Sequence, residues 1–216
     1  NQQNNFLKEI PLKKHDLVLY YDGANNQWQG VVNNKPEGTI IGSNRSSLVL
    51  IKLKKLLSNS KTYQLIEKLK EGRVKNAACN AIEKKEIEKR AENAFTQYKK
   101  DLILAMNIVE GKGGKFKHFM QPHLFSMSRD GFSLYETKIA NTTPSEMIPC
   151  GSEDYMRIAS GIFAKKHNEL IESGINSYDL SDIFLKLRKS GNLDEYYVDF
   201  IHITEKGNKE IAKEIL

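Results

Sequence analysis

Only two cysteines occur in the 216 residues, Cys79 and Cys150. They match no metal-ligand or redox spacing, so neither a disulfide framework nor a cysteine-built metal centre is expected. No apolar run approaches the roughly 20 residues that a membrane-spanning helix requires. Arginine clusters and the basic-aromatic interleaving of a nucleic-acid groove are also missing. The formal charge of +6, from 33 Lys+Arg against 27 Asp+Glu, is a lysine excess spread over helical faces and reads as solvated surface. The first residues, Asn1–Asn5, include no initiator Met and no leader, so localisation signals fall outside the reading.

What is present is a chain of one-domain length, 39% hydrophobic and 28% charged, long enough to bury a core. Phe6–Ile10, closed by Pro11, reads as the end of a helix. His15–Asp22 is a nearly unbroken apolar run of strand length, the pattern of a strand buried on both faces within a helix-covered parallel sheet. It ends in Gly23-Ala24-Asn25-Asn26, where a tight turn puts an amide at the C-terminal end of a strand, the edge at which open α/β sheets bind ligands. Trp28–Thr39 reads as a polar loop over that edge. Ser46–Leu57 and Thr62–Lys70 carry helical patterns, and residues 40–110 form a mainly helical insertion or connection within one domain spanning 1–216.

Ala81–Val109 has the longest helical period, with Ala91, Ala94, Phe95, Tyr98, Leu102, Ala105, Met106 and Val109 on one stripe. Phe116–Gln121, stopped by Pro122, is a second strand, and His123 follows at the expected rim. Ser126–Pro149 reads as a second long loop walling a cleft. A helix capped by Ser152 or Asp154 follows to about Glu172, with His167 on its surface; then come a short strand at Ile175–Leu180 and a helical turn over Ser181–Arg188. A last helix, Lys209–Leu216, presents Ile211, Ala212, Ile215 and Leu216 on one face.

Before that helix stand Asp199 and His202. A carboxylate three residues ahead of a histidine can hold one imidazole nitrogen and leave the other free, the base half of a hydrolytic triad. Alone, the spacing is common by chance. Gly23-x-Asn25 after a strand, with Asp199-x-x-His202 before the last helix, resembles the third and fifth blocks of the SGNH (GDSL-type) hydrolases. Gln121-Pro122 at a strand end also recurs in that family. The likeness covers most of the chain and departs at Asn26, where the family usually has Asp.

The resemblance implies a flavodoxin-like three-layer α/β/α parallel sheet and a serine esterase that needs no metal or cofactor. His202 would be its base, Asp199 its orienting acid and Asn25 an oxyanion donor beside Gly23, with Asn26, Gln121 and His123 at the substrate rim. The expected substrate is a small acyl ester, with an O-acetylated carbohydrate as the first candidate. The family's Gly-Asp-Ser block does not precede Asp16, so the nucleophile and the first two strands are expected outside these 216 residues. Ser43, in Thr39–Asn44, lies on the wrong side of the Gly-x-Asn block to replace it. The alternative is a non-catalytic glycan- or protein-binding module on the same fold. No nucleic-acid partner is expected, and the compartment is left open with a lean towards the cell envelope.

Overall fold

A computed structural model describes residues 2–32, 83–142, 152–191 and 194–216. The helical patterns at 46–57 and 62–70, Ser43 and both cysteines lie outside them. Three strands, β1 (Leu17–Asp22), β2 (Lys115–Met120) and β3 (Ser177–Asp179), form a parallel sheet in the order β1-β2-β3. Parallel neighbours need long crossovers, and the described parts of both crossovers contain helices.

The first crossover ends in α3 (Lys84–Gly111), the closing part of the expected 40–110 connection. Its stripe follows the predicted period, with Ala91, Ala94, Phe95, Tyr98, Leu102, Ala105 and Val109 buried and Ile87 added, while Met106 is only partly buried. Part of this stripe meets Tyr20, Phe116 and Met120 of the sheet, together with Leu7 of α1 (Gln2–Glu9) and Phe163 of α5 (Ser152–Lys166). Lys112 locks α1 in place by donating Nζ to the carbonyls of Leu7, Lys8 and Ile10 at 2.7–2.9 Å, a cation set at a helix C-terminus.

Strand alternation sends Phe119 to the other face, where it joins Ile183 and Phe184 of α7 (Ile183–Lys189), Ile211 of α8 (Glu205–Ile215), and Tyr196, Tyr197 and Phe200. Helices therefore lie on both sides of the sheet, as expected for an α/β fold. β1 is less enclosed than its composition suggests. Leu17 and Leu19 are 51% and 44% exposed, because β1 is the edge of the described sheet and no described element covers that half of its face.

Two expected loops contain regular structure. After Gly23 the chain goes straight into α2 (Ala24–Gln27) and a π-turn at Trp28–Val32. The segment after Ser126 holds a 3-10 turn at Arg129–Gly131 and then α4 (Leu134–Thr142). The start of α4 is a reciprocal cap: Glu136 N–H donates to Ser133 Oγ at 3.1 Å, and Ser133 N–H donates to the Glu136 carboxylate at 2.9 Å. Ser133-x-x-Glu136 is the sequence form of that cap, so this helix was readable.

The Ser152–Glu172 helix breaks into α5 and α6 (Asn168–Glu172) at His167, which is buried rather than on the surface. The last helix begins four residues earlier than its apolar pattern, at Glu205, because Thr204 caps it by accepting the Gly207 N–H. Ile211 is buried, whereas Ala212 and Leu216 face outward.

Candidate active site

Asp199 makes its own turn. Its Oδ1 accepts the backbone N–H groups of Ile201 at 2.8 Å and His202 at 2.7 Å, folding the chain back within three residues. That fold-back carries the His202 ring over the second carboxylate oxygen, and Nδ1 lies 2.6 Å from Oδ2. The D-x-x-H spacing thus acts through backbone geometry before it acts through charge. With Nδ1–H donating to Asp199, the neutral imidazole leaves Nε2 as an acceptor on a side chain that is 77% exposed.

The loop is closed at its base by a Tyr197–Ile203 bridge and by bonds from Val198 N–H to His202 O and from Thr204 N–H to Tyr196 O. Partial burial works against the charge on Asp199. The His202 N–H, the His202 imidazole and the Ile201 N–H outweigh it and hold the carboxyl below its ordinary range.

Phe200, between the two polar residues, points inward and decides where the pair sits. Its ring packs on Trp28 at 5.1 Å and stacks on Phe125 at 5.9 Å, and its carbonyl accepts the Leu124 N–H at 2.9 Å. Trp28 follows α2, and Leu124 and Phe125 follow β2. The base loop is therefore fastened to the chain leaving the C-terminal ends of β1 and β2.

Asn25 occupies the same edge. Gly23 turns the chain with φ 117°, a conformation that favours glycine, and a Cβ there would press on Tyr98 Oη at 3.1 Å and Met120 Cγ at 3.2 Å. Asn25 follows in α2 with its side chain exposed. Gln121 extends the ladder by donating its N–H to Asp22 O at 2.7 Å and is partly buried.

Two expected rim residues are inside. Asn26 is 4% exposed, and His123 is fully enclosed with Nε2 on Gln27 Oε1 at 2.9 Å. Burial, helped by the charge of Arg157, pushes the His123 pKa down to about 3. His123 is thus a neutral strut between the post-β2 segment and α2, where Asn26 is the buried neighbour of its partner Gln27. Their positions at strand ends suggested exposure, but α2 winds Asn26 into the core and His123 is enclosed against Gln27.

Compared with protein-family models, curated proteins and solved structures, the chain matches none.

Sequence reasoning passed over Trp28, Gln27 and Phe200, which join the Asn25 turn to the His202 loop. Asp22, Tyr98, His118 and Ser177, linked beneath the turn, were also missed. A tryptophan three residues after the amide was the available signal for the first group. The segment after Ser126 lines a cleft, but one whose walls include none of Asn25, Gln121, His123, Asp199 and His202. It has a volume of about 660 Å³ and lies between Asp130, Phe132, Leu134, Leu185, Arg188 and Glu195. Among the described residues, no cluster of His, Cys, Asp and Glu is placed to hold a metal ion, and no helix is long and apolar enough to cross a membrane.

Proposed function

We propose that this chain carries the base end of an SGNH-type serine esterase site on a flavodoxin-like sheet. The observation that carries the reading is the Asp199–His202 pair, formed at 2.6 Å with Nε2 outward and fastened to the strand-end segments that include Asn25. Helices on both faces of a parallel sheet and the β1-β2-β3 order agree with it.

In this reading the attacking serine is not one of the 216 residues. Its hydroxyl adds to the carbonyl of a small acyl ester, such as an O-acetylated carbohydrate. His202 Nε2 takes the hydroxyl proton and returns it to the departing alcohol, and a second cycle with water releases the acid. Asp199 keeps the Nδ1–H tautomer and stabilises the imidazolium. The exposed Asn25 amide donates to the tetrahedral oxyanion, a contact worth on the order of 10²–10³ in rate in other hydrolases.

The test uses the full-length protein with p-nitrophenyl acetate and a serine-directed fluorophosphonate. Turnover and labelling are expected, with both lost in His202→Ala. Unimpaired turnover in that variant overturns the reading, and a folded protein that neither turns over nor labels favours the binding-module alternative.

A further inference from the structure

On the opposite face of the sheet from Phe200, five side chains from separate elements form one continuous polar chain. Tyr98 Oη of α3 donates to Asp22 Oδ1 of β1 at 2.8 Å and lies 2.5 Å from His118 Nε2 of β2. His118 Nδ1 lies 2.6 Å from Ser177 Oγ of β3, and Ser177 Oγ lies 2.8 Å from His167 Nε2 at the α5–α6 break. His118 is 0% exposed, whereas His167 retains 8% of its surface.

The protons along this chain follow from what each group can offer. A carboxylate only accepts, so the single Tyr98 proton goes to Asp22 and Tyr98 Oη must accept from His118 Nε2–H. A neutral His118 then has an acceptor Nδ1, filled by the Ser177 hydroxyl, and Ser177 Oγ accepts from His167 Nε2–H. Every donor points the same way, from His167 towards Asp22.

We propose that Ser177 is a proton relay between the two histidines, so that a proton taken up at His167 comes to rest on the enclosed His118 beside Asp22. The transfer balances. A proton binds His167 Nδ1, the Nε2 proton passes to Ser177 Oγ, and the former Ser177 proton passes to His118 Nδ1. His167 ends neutral with the proton on Nδ1, Ser177 now donates back to His167 Nε2, and His118 is a cation bonded to Ser177 through Nδ1–H. No other acid or base is consumed.

The groups around the pair determine where the charge settles. Asp22 Oδ1 stands 3.4 Å from His118 Nε2. Burial, the largest influence, pushes the His167 pKa down, Asp179 of β3 opposes it, and His118 adds to the lowering. The relay thus leads from His167 to the carboxylate end of the chain. Tyr98 Oη, the partner of His118 Nε2, lies against the Gly23 turn that carries Asn25, where a Cβ would meet it at 3.1 Å. This gives the strand end a proton-responsive support that does not depend on ester hydrolysis.

Imidazole ¹⁵N NMR of the full chain, titrated across the histidine range of about pH 8 to 5, tests the relay. At high pH His118 should be the Nε2–H tautomer. On acidification both its nitrogens should move to protonated shifts as His167 becomes the Nδ1–H tautomer, with exposed His202 as the internal reference. Ser177→Ala should abolish the His118 response and Ser177→Thr should restore it. An Nδ1–H His118 at high pH, or an unchanged response in Ser177→Ala, overturns the proposal. If Ser177→Ala does not fold, His167→Gln gives the same readout, and an undiminished His118 response there is equally fatal. None of these signals involves turnover, so failure of the relay and failure of the esterase reading are separately visible.

Discussion

The rings of Trp28 and Phe200 meet at 5.1 Å, joining the helix that carries Asn25 to the turn that carries Asp199 and His202. Neither ring has a polar role here, yet together they fasten the segment after α2 to the loop that carries the imidazole. Phe200→Ala leaves a hole beside Trp28 and Phe125 and should cost about 3 kcal/mol in urea unfolding. Trp28 is the only tryptophan, so its emission reports this contact alone, and a red shift is expected in the folded variant. Unchanged emission would show that the contact is absent in solution.

Asp199→Asn separates geometry from charge. The Asn oxygen can still accept the Ile201 and His202 N–H groups, so the turn and the melting temperature should hold. The group facing Nδ1 becomes an amide donor, which reverses the tautomer and removes Nε2 as a base. Under the proposed esterase reading, kcat should fall by roughly 10²–10⁴ with little change in thermal stability. A loss of rate matched by a large loss of stability would instead mark Asp199 as structural.

His123 gives stability a pH dependence of known sign. Its ordinary pKa of 6.5 falls to about 3 in the fold, so between these values the unfolded chain binds the extra proton. Stability supplied by the buried neutral ring is complete above the unfolded pKa and is lost as pH falls towards 3. The expected slope reaches about 1.4 kcal/mol per pH unit. Urea titrations at several pH values should show it, and His123→Gln should flatten the window below pH 6.5.

Gly207 sits in the first turn of α8, where a Cβ would lie 2.3 Å from Ile203 Cγ2 and 2.8 Å from Tyr196 O. The second neighbour is backbone and cannot rotate away. Gly207→Ala should cost about 1–3 kcal/mol and displace the strand pair that closes the His202 loop. Thr204→Ala, which removes only the helix cap, should cost about 1 kcal/mol. The comparison, made by thermal melts with His202 chemical shifts, distinguishes displacement of the loop from simple fraying.

The three strands, the long α3 stripe and the Asp199–His202 pairing were legible in the sequence because each is local. A strand-length apolar run, a 3.6-residue period and an Asx turn are written within a few residues of one another. α4 was legible too, through Ser133-x-x-Glu136, but its capping pair was overlooked. Tertiary packing decided the rest. Whether a residue on a turn faces water depends on what lies behind it: α2 winds Asn26 into the core, and His123, after β2, is enclosed against Gln27. The union of the two candidate halves depended on Trp28 meeting Phe200, residues 172 positions apart with no shared pattern. His118 and His167 became partners only when β3 brought Ser177 between them, a contact fixed by strand register rather than by sequence spacing.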